Sequence, residues 1–448
     1  MIIESDSDLK YVQESLERGD SFWIPMYSDV YKHYTNNDLS FVYIYSIADD
    51  QDYLIPLRHM DCLCLQRERI QELASPHSIF VLAKKRFMHF YSKTCYDADL
   101  MAWWRTLKML PYDEVNTAAH DTWNKWWHAE PNTNDWLPVT KHYERCMTMR
   151  KLFMEQYNTF TLTEEFKRYD SYIIDNFYAV EQSGLRVDYT KFIEHFKTNG
   201  LKDSMAKTEY NPYTSTGRPS NKFGGVNYAA LNKEDGCRTA FVSRFSRGML
   251  LEFDYDAYHV RLIAELIGYD LPDGSVHEYF GRQYFGKDEL SDEEYAQSKQ
   301  ITFRLLYGGI DSDFAKVPFF GKVQSYVGGL WRGFKQDGYI TTPYFKRRMP
   351  GEHMWEMNPN KLFNYLLQAT ETEHNLLVVN DVNELLQEYN SKLILYTYDS
   401  LLFDFDLSDG KDVMQRIKST MTRNGKYPIK VKAGTNYHSM QDMTSKLC

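Results

Sequence analysis

Between Ser291 and Gly308 a helix-start signal and a four-residue side-chain repeat coincide, and together they dictate both a local conformation and the surface it offers. Ser291-Asp292-Glu293-Glu294 has the Ser-x-x-Glu form in which hydroxyl and carboxylate cap the first free backbone amides, and its three acids suit the positive end of the helix dipole. Residues four apart advance about 40° around a helix, so Lys299, Phe303 and Tyr307 form one stripe of ammonium, aromatic face and phenol. The ammonium can meet a phosphate as a point charge, the Phe ring can lie against a base or sugar, and Gly308 permits a close backbone approach where the helix ends. A nucleoside triphosphate suits such a stripe. The competing reading is a helix whose aromatic stripe is simply buried, with one solvated lysine.

Two acids flank this helix in the chain. Met249-Leu250-Leu251-Glu252-Phe253 reads as a buried strand ending at Asp254, and Arg261 to Ile267 reads as a helix stopped by Gly268. Further on, Leu393 to Tyr398 and Leu401 to Phe405 read as two strands joined by a tight turn with Asp399 at its tip. Carboxylates from different strands can share a pair of Mg²⁺ ions roughly 3.5–4 Å apart, with Mn²⁺ as a substitute, which makes Asp254 and Asp399 the candidate catalytic and metal-holding residues. Either acid alone reads as an ordinary turn residue, so the specificity lies in the ordered set.

That set is Arg218 in Thr216-Gly217-Arg218, then Asp254, then Lys299-x-x-x-Phe303-x-x-x-Tyr307-Gly308, then Tyr398-Asp399. It resembles the family A DNA polymerases, the bacterial DNA polymerase I type, over residues 170 to 448. Supporting matches are Gly184-Leu185-Arg186-Val187-Asp188 at the approach to the family's thumb and Arg238-Thr239-Ala240-Phe241 before the first catalytic strand. Gly338-Tyr339-Ile340-Thr341-Thr342 leading to Arg347-Arg348 resembles the fingers-to-palm hairpin, and Asn364-x-x-x-Gln368-Ala369-Thr370 the palm helix at the primer-template minor groove. The resemblance implies that Asp254 and Asp399 hold two Mg²⁺ ions, that Lys299 and Tyr307 meet the incoming dNTP, and that Phe303 packs against its sugar. Arg218, Asn227, Arg238, Asn364, Gln368 and Tyr398 would contact template or primer.

The same resemblance implies an α/β chain with an RNase H-like, exonuclease-like N-terminal domain over residues 1–165 and a remnant thumb and connection over 166–215. Palm would occupy 216–269 and 346–448, with fingers over 270–345. The implied activity is template-directed addition of dNTPs to a primer 3′ hydroxyl. An RNA-synthesising relative, primase-like or transcriptional, is one alternative, and a non-catalytic nucleic-acid-binding scaffold is another; retention of both acids counts against the scaffold.

Departures from the family pattern carry information too. His259, in Tyr255-Asp256-Ala257-Tyr258-His259-Val260-Arg261, stands where the family has a sugar-gating Glu; a dNTP preference is still expected, with the imidazole blocking a 2′ hydroxyl by bulk. Tyr295 stands where an Arg clamps the triphosphate, leaving Lys299 with Arg304 as the candidate to compensate. Tyr398-Asp399-Ser400 lacks the second acid of the family's His-Asp-Glu hairpin, as single-subunit RNA polymerases do. Tyr189 to Ser215 is only 27 residues, room for a short helix and loop in place of the family's long thumb helices.

Toward the N-terminus, Ser21 to Met26, Phe41 to Ser46, Tyr53 to Leu57 and Ile79 to Ala83 are strand-like, in the order of the family's proofreading domain. Active members bring an Asp-x-Glu pair on the first strand, and the matching positions here are Pro25 and Tyr27. The later Tyr-x-x-x-Asp pattern also fails, since Met147 follows Tyr143, although Asp97 or Asp99 is the expected survivor of the middle motif. The domain therefore reads as a vestige, kept for structure or for docking a processivity or replisome protein. Six of the nine Trp lie between Trp103 and Trp136, and core filling is preferred over an exposed anchor patch.

At 448 residues the chain has room for about three domains with sizeable cores. A net charge of -10 argues against a uniformly basic nucleic-acid coat but is compatible with a local basic cleft beside an acidic metal site. Six cysteines without paired CxxC spacing suit reduced thiols in a cytosol better than disulfides or zinc. The acidic start, Met1 to Asp6, argues against a signal or transit peptide, and no apolar run is long enough to span a bilayer. The expectation is a cytoplasmic protein with no membrane partner, in the host cytoplasm if the reduced, phage-like architecture reflects its source.

Overall fold

A computed structural model describes residues 1–29, 32–110, 133–197, 201, 203–221, 226–354 and 356–447. Packing divides the chain into two compact units, Met1–Gln182 and Ser183–Cys448.

The first unit is built on a sheet of β1 (Ser21–Tyr27), β2 (Leu39–Ser46), β3 (Gln51–Pro56), β4 (Ile79–Val81) and β5 (Tyr96–Asp97), in the order β3-β2-β1-β4-β5. β1, β2 and β3 run antiparallel, whereas β4 lies parallel to β1 and β5 parallel to β4. All four strands expected from the sequence form. Their apolar runs are continuous rather than alternating because both faces are covered. Phe22 stacks on Phe153 of the helix Val139–Tyr157 at 4.1 Å, while its neighbour Trp23 points the other way, 5.0 Å from Tyr91.

Thr163 caps the next helix, Glu164–Asp170, by accepting from Phe166 N at 3.2 Å. The first unit nevertheless runs on to Gln182 instead of ending at residue 165. Buried charge and aromatic packing hold the extra segment: Lys84 Nζ lies 2.5 Å from Asp170 and 2.7 Å from Asp175, Lys85 Nζ lies 2.7 Å from Glu181, and Tyr169 stacks on Trp103. Trp103 is fully buried and Trp136 is exposed; Trp123, Trp126 and Trp127 lie outside the described residues. Asp97 and Asp99 are also buried, and both serve backbone amides. Asp97 accepts from Lys84 N and Leu100 N at 2.8 Å each, and Asp99 from Leu110 N at 3.3 Å.

In the second unit an antiparallel sheet of β6 (Gly248–Tyr255), β7 (Lys392–Tyr396), β8 (Ser400–Asp406), β9 (Ile429–Gly434) and β10 (Gln441–Asp442) has the order β7-β8-β6-β9-β10. Its helices include α1 (Tyr258–Ile267), α2 (Asp292–Gly308), α3 (Pro318–Asp337) and α4 (Pro359–Leu385). α4 packs against the other three. Asn358 caps α4 by accepting from Lys361 N at 2.9 Å, and Pro359 supplies a preset first turn. Between α3 and α4 the expected hairpin forms, Tyr339–Thr341 pairing with Arg348–Pro350. Between Tyr189 and Ser215 the described residues form one eight-residue helix, Tyr189–Phe196, and two strands of two residues each. Among the described residues no helix is long and apolar enough to cross a membrane.

Candidate active site

α2 begins where its capping signal lies: Ser291 Oγ accepts from Glu294 N at 3.2 Å, and Glu294 accepts from Ser291 N at 3.0 Å. The helix buries Ser298, Thr302, Leu305 and Leu306, so the Lys299, Phe303 and Tyr307 stripe lies on its open side, with Phe303 42% exposed. That burial pattern rules out the buried-stripe reading. Phe303 and Tyr307 hold parallel rings 6.2 Å apart, and Lys299 Nζ sits 4.5 Å above the Tyr295 ring. Tyr295 thus steadies the lysine through its π face. Arg304 does not join the stripe: one residue past Phe303, it is carried about 100° around the helix and pairs with Asp311 at 3.2 Å. A Cβ on Gly308 would meet nothing within 4 Å, whereas Gly309 has φ +106 and its Cβ would come 2.7 Å from Asn360 Nδ2.

Asp254, the next-to-last residue of β6, lies directly opposite Ser400 of β8, and Tyr255 N donates to Asp399 O at 2.9 Å, so Asp254 and the turn residue Asp399 arrive at adjacent positions. Asp399 N donates to Thr397 O at 3.1 Å and Asn375 Nδ2 to Tyr398 O at 2.7 Å, which together tighten the turn and hold Tyr398 at φ +74. Such a backbone is sterically costly for tyrosine and is typical of residues placed by function. Burial, then Asp399, then Glu252 push the Asp254 carboxyl up to about 6. Burial raises Asp399 too, with Glu371 adding to it. Two neighbouring acids that repel each other, Asp254 half-buried and Asp399 exposed, are the donor set a divalent cation neutralises. Among the described residues no group of three or more His, Cys, Asp or Glu could hold a metal, so a metal site here rests on this pair.

Lys430, which sequence reasoning missed, stands opposite Asp254 on β9 with Nζ 2.7 Å from Asp256. Its only sequence trace is the alternation Lys430, Lys432 on a strand, which puts both on one face. Lys432 accordingly lies 3.8 Å from Glu252.

The other candidates form a layer around Glu371, a residue of α4 only 1% exposed that sequence reasoning also missed. His259 Nε2 is 3.1 Å from Glu371 Oε1, and Arg218 Nε is 3.2 Å from Glu371 Oε2. Both contacts are close but are not aligned as hydrogen bonds. His259 Nδ1 bonds the Tyr307 hydroxyl, and the Arg218 guanidinium lies 3.9 Å from the Tyr398 ring centroid. Asn364 and Gln368 join this layer through Tyr307 O at 3.4 Å and Thr216 Oγ1 at 3.4 Å. Arg238 is anchored elsewhere, donating to Leu231 O at 2.9 Å and covering the Tyr437 ring, while the exposed Asn227 accepts from Ala229 N at 3.2 Å.

A sheet bearing two adjacent acids, faced by a helix with an outward cation and aromatic stripe, belongs to a known fold. The POL domain of Pol1 from M. smegmatis, in complex with DNA primer-template and dNTP, is similar to this chain with a TM-score of 0.71, 14% sequence identity, and coverage of 98% of this chain and 99% of that one. No family model matches the chain, and no curated protein matches its sequence. The fold is that of a DNA polymerase domain.

Proposed function

We propose that this chain is a template-directed DNA polymerase of the family A type that adds dNTPs to a primer 3′ hydroxyl. The observation that carries this is the juxtaposition of Asp254 on β6 with Asp399 in the turn before β8, each with its carboxyl raised. These acids would hold two Mg²⁺ ions, which activate a primer hydroxyl and neutralise a leaving pyrophosphate. Lys299 meets the phosphates, Phe303 and Tyr307 bound the sugar, and Arg218, Asn364, Gln368 and Tyr398 bound the primer-template. His259 and the single acid of Tyr398-Asp399-Ser400 favour an RNA-synthesising relative as the second reading. Primer extension with Mg²⁺ and either dNTPs or rNTPs separates the two, and a chain that extends with neither is a scaffold.

Metal dependence should carry the signature of Asp254. Its raised carboxyl stabilises the metal-free fold below the ordinary value of about 4, and that stability is lost as pH rises through about 6. Mg²⁺ requires the ionised form, so its stabilisation should be small at pH 5 and large at pH 7.5. Thermal unfolding with and without Mg²⁺ at both pH values measures this; a shift independent of pH counts against the site.

The first unit is read as a vestigial 3′-5′ exonuclease, supported by its sheet order β3-β2-β1-β4-β5. A cleft of about 240 Å³ beside β1 is lined by Pro25 and Tyr27, and its charged lining is Asp29, Lys32, Arg86 and Arg145. One acid among three cations is a poor holder of two metals. Purified protein should leave a mismatched primer end intact with Mg²⁺ or Mn²⁺, and ladder-like shortening that persists on exhaustive purification refutes the reading.

The stretch from Tyr189 to Ser215 is read as a remnant thumb. Each DNA phosphate left without a cationic partner takes about 0.9 off the slope of log affinity against log salt, so duplex should dissociate readily and synthesis should be distributive. Single-turnover extension with a trap for released enzyme should give products of a few nucleotides. Long products from the isolated chain would show that another segment grips the duplex. A processivity protein is the implied partner, in the cytoplasm of a cell or a phage host.

A further inference from the structure

We propose that Glu371 is a positioning residue for sugar selection, acting through His259 on Tyr307 and through Arg218 on Tyr398; this rests on the polymerase reading above. The resemblance puts a sugar-gating acid at the place of His259. Here a buried acid stands on α4, and the imidazole lies between it and the phenol.

The chemistry of the three groups sets their roles. A carboxylate oxygen accepts, so Glu371 Oε1, 3.1 Å from His259 Nε2, favours the tautomer with its proton on Nε2. Nδ1 then accepts from the Tyr307 hydroxyl, which directs that proton away from the open face of α2 and leaves the phenol oxygen as an acceptor there. On its other side Glu371 Oε2 draws Arg218, whose guanidinium covers Tyr398, the residue before Asp399. One buried carboxylate therefore links the sugar side of the site to the turn that carries an acid. Glu371 Oε2, Arg218 Nε and His259 Nε2 have no aligned hydrogen bond, although buried polar atoms almost always have one. The distances are within hydrogen-bond reach, so a small rotation is enough to align them.

The test compares kcat and KM for one dNTP and its matching rNTP on a defined primer-template with the full chain. Equilibrium binding of the same two nucleotides is measured on a dideoxy-terminated primer. Glu371→Gln is expected to lower deoxy-over-ribo discrimination roughly tenfold, the size of one charge-assisted hydrogen bond, with the change in KM and in equilibrium binding. His259→Glu with Glu371→Gln, which returns a carboxylate directly to Tyr307, should restore most of it. Glu373→Gln is the control for burial: Glu373 is equally buried on α4 but accepts from Tyr344 N and Phe345 N, outside this layer, and its variant should keep the wild-type ratio. A ratio within twofold of wild type in folded Glu371→Gln overturns the proposal while dNTP extension leaves the polymerase reading standing. A wild-type chain that extends no primer overturns both. If Glu371→Gln does not fold, Glu371→Asp, which keeps the charge but withdraws it from His259, is read in its place; failure of both to fold makes Glu371 purely structural and overturns the proposal.

Discussion

Asp254→Ala and Asp399→Ala are each expected to slow primer extension roughly a thousandfold, as befits the loss of about 4 kcal/mol of transition-state stabilisation from a metal ligand. The fold should persist, because β6 keeps its pairing with β8 and β9 through backbone groups that the substitution leaves in place. Removing either acid also removes a repulsion: Asp399 is among the groups that push Asp254 up to about 6. The metal-free variants should therefore unfold at or above the wild-type temperature near pH 7.5, and the Mg²⁺-dependent rise should disappear. Extension rate, duplex affinity and unfolding with and without Mg²⁺ together separate this outcome from general damage. Near wild-type extension by either variant would remove Asp254 and Asp399 from the mechanism.

Asp170→Ala is expected to destabilise the first unit by about 3–5 kcal/mol, lowering its unfolding temperature by roughly 10 °C. Lys84 is almost entirely buried, and its ammonium is held between Asp170 at 2.5 Å and Asp175 at 2.7 Å. Burial works against that charge, and the two acids together more than offset it. Asp170 also accepts from Asp97 N at 2.7 Å, so its removal strips an acceptor from a buried amide as well as a counter-charge from a buried amine. Replacing Lys84 and Asp170 together by apolar residues should recover much of the loss, since the remaining Asp175 is 38% exposed and can be solvated. A single-variant loss below 1 kcal/mol in denaturant unfolding would mean that Asp175 alone satisfies Lys84.

Capping, helix period and strand alternation act within a turn or two, and at several places the chain follows them. Ser291 caps α2, Thr163 caps its helix, Gly268 ends α1, and the hairpin tip carries Asp399. Arg304 shows the limit of such rules. Chemical type recommended it as a second phosphate cation, but its angular position turned it toward Asp311.

The sequence alone determined which residues could carry the chemistry: the order of Asp254, the Lys299, Phe303 and Tyr307 stripe, and Asp399 is a property of one dimension, legible through short-range periodicity and through its resemblance to a known family. Only the tertiary structure decided who their neighbours are. Glu371 and Lys430 sit on elements far from His259 and Asp254 in the chain, and the first unit extends to Gln182 because Lys84 and Lys85 find their acids there. The reason is that strand register and helix packing bring together residues whose spacing in sequence carries no period.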